Sequence, residues 1–122
     1  MPEIEFRGDH VHVQLVAGQT LDAKDSDGIW ATIAQLCEAN GTKRVMVEGY
    51  VPGGDRDTSD VIAAGQRTAR VPHLWMAFHL EDFEKTDASE LFEAVAGAKG
   101  VRVKFFRDAE HALMWLRNNT PS

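Results

Sequence analysis

A chain of 122 residues suits one domain, and a domain of that size removes roughly two-thirds of its unfolded surface from water, so neither disulfides nor metals are needed for stability. The formal charge of −6 at pH 7 repels nucleic-acid backbones and anionic membranes, whose hold on proteins comes largely from Lys and Arg, so nucleic-acid binding is not expected. No apolar run approaches the ~18 residues of a membrane span, and the start MPEIEFRGDH lacks a basic segment followed by an apolar core, so a cytoplasmic location is expected.

Ile4 to Arg7 and Val11 to Leu15 read as two short strands around the turn pair Gly8-Asp9. In the second, Val11, Val13 and Leu15 alternate with His12 and Gln14, which predicts one buried and one wet face. The polar segment AGQTLDAKDSDG follows, and Asp25 or Ser26 can cap a helix carrying Ile29, Trp30, Ile33, Leu36 and Cys37, which Gly41 ends. Cys37 is the only cysteine, so no intrachain disulfide can form, and its place on the apolar face predicts a small buried hydrophobe. Arg44 to Tyr50 is the next strand, with Val45 and Val47 on one face and Met46 and Glu48 on the other.

After the break Pro52-Gly53-Gly54, a helix from about Ser59 to Arg70 carries Val61, Ile62 and Gly65 on one side, and Pro72 ends it. His73 to Leu80 is a nearly continuous apolar run, as expected of a strand covered on both faces. Thr86 or Asp87 caps a helix with Leu91, Phe92, Val95 and Ala96 inward, and Gly97 and Gly100 weaken its end. Val101 to Arg107 is the last strand, and Asp108 caps a final helix with Ala112, Leu113, Trp115 and Leu116 on its apolar face. The expected class is α/β in the order β-β-α-β-α-β-α-β-α, with parallel central strands, right-handed crossovers and an antiparallel hairpin at one edge of a mixed five-stranded sheet.

Three groups of residues invite chemistry. His10 and His12 share one strand face by their spacing, but zinc needs at least a third ligand, and an exposed polar face is the simpler expectation. His73 and His79 have the same parity in one strand, and Glu48 lies near the end of its neighbour, so Glu48 and His79 form a candidate acid–base pair at the C-terminal sheet edge, where open α/β sheets bind ligands. No nucleophile elbow or metal-ligand set accompanies them. Trp30, Trp75 and Trp115 are expected in the core with each indole N–H meeting a polar partner, while a pocket for a lipid or other small apolar ligand is the sharper alternative. The pair Gly53-Gly54 lacks the G-x-x-x-x-G-K-[ST] spacing of a phosphate cradle, and no cofactor is expected.

The strand RVMVEGY followed by Asp57-Thr58-Ser59-Asp60 at a helix start, and the final run RVKFFRDAEHALMWLR with Ala112-Leu113-Met114-Trp115-Leu116, resemble the STAS domain of bacterial anti-sigma-factor antagonists, in its SpoIIAA-like branch grouped with SEC14-type domains. The resemblance covers about Ile4 to Arg117 and implies a STAS-like fold, a non-enzymatic regulatory role, a protein partner and frequent dimers. It also places the serine phosphorylated in regulatory members at Ser59. Here Asp60 replaces the motif glycine, and a phosphate on Ser59 would sit among Asp55, Asp57 and Asp60 with only Arg56 to compensate, so the phosphorylation switch is disfavoured. The simpler reading is that Asp57, Thr58 or Ser59 caps the helix and Asp60 complements its dipole. The expected contact surface is the loop of Gly53, Gly54, Asp55, Asp57, Thr58 and Ser59, and the exposed hairpin edge offers a route to a homodimer.

Overall fold

The computed structural model describes residues 3–15, 27–49, 58–71, 73–80, 83, 84 and 86–119. The strands β1 (Glu3–Phe6), β2 (Val11–Gln14), β3 (Arg44–Gly49), β4 (Trp75–Leu80) and β5 (Arg102–Phe106) lie side by side in chain order in one sheet. The β1–β2 hairpin is antiparallel, and the pairs β2–β3, β3–β4 and β4–β5 are parallel. The helices are α1 (Asp27–Asn40), α2 (Thr58–Arg67), α3 (Asp87–Ala98) and α4 (Ala109–Asn119). The protein is therefore α/β, with a mixed five-stranded sheet and four helices. The succession differs from the expected one by a 3-10 turn, Thr68–Arg70, that separates α2 from β4 where one continuous helix is expected.

Local chemistry explains several boundaries. Gly8 at φ 81° closes the β1–β2 turn, where the Arg7 N–H donates to the His10 carbonyl. Thr86 caps α3 by accepting from the Ser89 N–H, while the Ser89 hydroxyl accepts from the Thr86 N–H. The Asp108 carboxylate accepts from the Glu110 N–H at the start of α4. The expected caps Asp25 and Ser26 of α1 lie outside the described residues. At the start of β4 the expectation is corrected: His73 is exposed and left-handed at φ 60°, so the strand begins at Trp75 and His73 does not share a strand face with His79.

The two faces of the sheet are covered unequally. On one, Val11, Val13, Val45, Val47, Met76 and Phe78 pack with Trp30, Ile33 and Cys37 of α1 and with Phe92 and Ala96 of α3. On the other, Met46 and Ala77 meet Ala112 and Leu116 of α4, with Trp75, Phe106 and Trp115 around them. The Trp115 ring lies 5.5 Å from that of Trp75 and 5.8 Å from that of Phe106. A fully buried large apolar side chain contributes roughly 1.5–3 kcal/mol, so α4, whose buried residues are Ala112 and Leu116, is held less firmly by burial than α1 with Trp30, Ile33 and Cys37.

Helix α2 reaches the first layer by lying against α3, and Gly65 is the point of closest approach. A Cβ built there would stand 2.7 Å from both Cβ and Cγ1 of Val95. The Gly65 carbonyl also accepts, at 2.6 Å, from the hydroxyl of the fully buried Thr68, which ties α2 to the 3-10 turn. The helical propensity gained by Gly65→Ala, about 0.8–1.0 kcal/mol, is smaller than the overpacking cost of about 1–3 kcal/mol. Urea unfolding is expected to show G65A less stable than the wild type, and G65A/V95A to recover most of the loss. G65A at wild-type stability would contradict the tight contact.

Candidate functional site

Three strands carry a row of polar side chains on the face that α4 shares. Glu48 of β3 has the parity of Met46, His79 of β4 that of Ala77, and His12 of β2 lies opposite Met46 in the sheet register. His12 Nε2 is 2.8 Å from Glu48 Oε1, and His79 Nδ1 is 3.4 Å from Glu48 Oε2. One carboxylate thus stands between two imidazoles, each on its own oxygen. The exposure is graded: the side chain of His12 is 3% exposed, that of His79 14% and that of Glu48 28%, so the row opens to solvent near the C-terminal ends of β3 and β4. Gln14, opposite Glu48, donates weakly to the Leu15 and Glu48 carbonyls at 3.4 and 3.5 Å and borders the row.

A second polar chain fixes the far end of α4. Asp9 in the hairpin turn holds His10 Nδ1 at 2.6 Å through one oxygen and Arg117 Nε of α4 at 2.6 Å through the other. His10 in turn meets His12 edge-on, with ring centroids 6.4 Å apart. Helix α4 therefore runs from the end of β5 to the turn before β2, and the His–Glu–His row lies beside it.

The electrostatics favour charged carboxylates. Hydrogen bonding to Arg117 is the largest influence on Asp9; partial burial works against it, His10 reinforces it, and the carboxyl is lowered to about 2. For Glu48 the largest single influence is partial burial, which raises it, but the hydrogen bonds and charges of His12 and then His79 together outweigh this and hold the carboxyl below its ordinary range. Burial pushes the Cys37 thiol up to about 11, against a small opposing effect of Lys43, in keeping with an unreactive buried side chain.

The sequence-derived candidates fare unequally. Glu48 and His79 are brought together as expected. His10 and His12 are not on a wet face: both are buried, because each has a carboxylate partner, Asp9 and Glu48 respectively, that offsets the loss of water. His12 is the member of the row that sequence reasoning missed, and the signal available was parity with Gln14, which faces Glu48. Arg117 was missed too, since nothing local joins it to Asp9. Gly53, Gly54, Asp55 and Asp57 lie outside the described residues. Thr58 and Ser59 are exposed in the first turn of α2, and because both are already helical, neither is the capping residue that precedes it. Trp30 departs from expectation in another way: it is buried, and its indole N–H has no hydrogen-bond partner among the described residues.

Among the described residues no set of three or more His, Cys, Asp or Glu side chains is arranged to hold a metal, and no helix is long and apolar enough to cross a membrane. No family model, curated protein or solved structure matches the chain.

Carboxyls lowered in the folded state contribute stability that is fully present above the unfolded pKa and lost as pH falls through the folded one. For Asp9 that window runs from 3.8 down to about 2. Chemical denaturation across this range is expected to show wild-type stability falling with acid and a shallower fall in Asp9→Asn, which also starts lower at neutral pH. An unchanged slope in D9N would refute the role given to the Arg117–Asp9–His10 chain.

Proposed function

We propose that the protein is a non-enzymatic interaction or regulatory module of STAS-like type, similar in kind to anti-sigma-factor antagonists but working without their phosphorylation switch. Its contact surface is the loop from Pro52 to Ser59 with the start of α2. The observation that carries this reading is the state of Glu48, the best-placed candidate base. Both of its oxygens are already engaged by imidazoles and its pKa is lowered, whereas a general base at neutral pH needs a free oxygen and a pKa near the working pH. The polar row is better suited to stiffening the sheet edge that carries the loop.

Exposure of Thr58 and Ser59 on the first turn of α2 supports the same surface. The surrounding acids, Asp55, Asp57 and Asp60, favour a basic partner, since complementary charge speeds encounter. A pull-down comparing wild type with D57A/S59A is expected to recover the specific partner several-fold less with the variant. Equal recovery of every partner removes this surface.

The 3.4 Å approach of His79 to Glu48 favours a second reading, a small enzyme in which His79 exchanges protons and Glu48 orients it. That reading requires any turnover found for the protein to fall by about 100-fold or more in His79→Ala, in line with general acid–base contributions. Turnover indifferent to His79 excludes it.

A further inference from the structure

The sheet ends in two edges of opposite charge. On β1, Glu3 and Glu5 are exposed; on β5, Arg102 and Lys104 are exposed. All four project from the sheet face shared by α4, because Glu5 lies opposite His12 and Arg102 and Lys104 share the parity of Phe106. The partly buried Ile4, Phe6, Val103 and Phe105 take the other face, where they join the larger core.

The backbone completes the match. Arg102 N–H donates to the Leu74 carbonyl, so Arg102 and, by alternation, Lys104 are tied to β4, and Val103 and Phe105 turn their N–H and C=O groups outward. Arg7 N–H donates to the His10 carbonyl, so by the same alternation Glu5 and Glu3 are tied to β2, and Ile4 and Phe6 turn theirs outward. Since β1 alone runs against the other strands, a translated second copy presents β1 antiparallel to β5 with its faces in phase.

We infer that β5 of one copy receives β1 of a second, head to tail, with Val103 hydrogen-bonded opposite Ile4, Arg102 opposite Glu5 and Lys104 opposite Glu3. Symmetric pairings are disfavoured: β1 on β1 sets glutamate against glutamate, and β5 on β5 sets cation against cation. Two contacts compete for these groups: Arg7 is 2.7 Å from Glu5 within β1, an exposed pair of the kind that exchanges readily, and Lys104 Nζ stands 5.6 Å from the centroid of the Phe106 ring. Pairing of this sort does not close on two copies, so it produces growing oligomers and no fixed dimer. Its short length makes it weak and salt-sensitive.

The test is sedimentation velocity of the full chain over a concentration series up to about 1 mM. For wild type the sedimentation coefficient is expected to rise with concentration and to fall back in about 0.5 M NaCl, where the Debye length drops to about 4 Å. R102E/K104E and E3K/E5K are each expected to remain monomeric alone, with native circular dichroism, and to associate again when mixed in equal amounts, because each supplies the charge the other lacks on both edges. R102Q/K104Q, which removes charge without reversing it, is expected to weaken association about tenfold, as for loss of about 1.4 kcal/mol. The inference is overturned by a wild type monomeric throughout, by association that both charge-reversed variants retain, or by a mixture that does not recover it.

Discussion

A parallel sheet is stable only when both of its faces are covered, and this sheet supplies its helices unevenly. Strands laid down in simple order with right-handed crossovers send every connecting helix to the same side, so α1, α2 and α3 share one face. The opposite face is left to the one helix that is not a crossover. Helix α4 has 11 residues, and at 1.5 Å per residue spans about 16 Å. Five strands are about 19 Å across, and a helix is about 10 Å wide, so α4 covers only part of that face. Whatever lies beside it must be polar enough to meet water and paired enough to be partly buried.

The row His12–Glu48–His79 meets both conditions. An imidazole as deeply buried as that of His12 costs free energy unless its ring nitrogen finds a partner, and a carboxylate on the next strand supplies one at 2.8 Å. Glu48 in turn is only partly buried and keeps its charge because two imidazoles face it. Exposure therefore rises from His12 to Glu48, toward the C-terminal end of β3.

Much of this was legible in the sequence wherever the signal was local. Period-2 alternation marked β2 and β3 and a continuous apolar run marked β4, the capping residues Thr86 and Asp108 marked two helix starts, and Gly41 at φ 63° ended α1 as its place after Asn40 predicts. Contacts distant along the chain were not legible in the same way. The partner that buries His12 is 36 residues away, and Asp9 and Arg117 are separated by 108, so no short window of sequence holds both members of either pair. His73 was misread for a different reason: the apolar run is continuous in composition, but a left-handed residue interrupts the extended chain two residues before Trp75. Periodicity carries no information on a single backbone reversal of that kind.

The Asp9–Arg117 contact shows how a weak interaction can still decide geometry. Both side chains are substantially exposed, and pairs of this sort contribute about 0–1 kcal/mol, less than the roughly 1.5–3 kcal/mol from burying Leu116 one residue earlier. Adhesion of α4 therefore comes from Leu116, Ala112 and the aromatic contacts of Trp115. Those apolar contacts are non-directional and would tolerate a small swing of the helix across the sheet. The ion pair removes that freedom, because Asp9 is fixed in its turn by Gly8 and by its second bond to His10. A contact of small energetic weight thereby sets the angle at which α4 lies across the sheet.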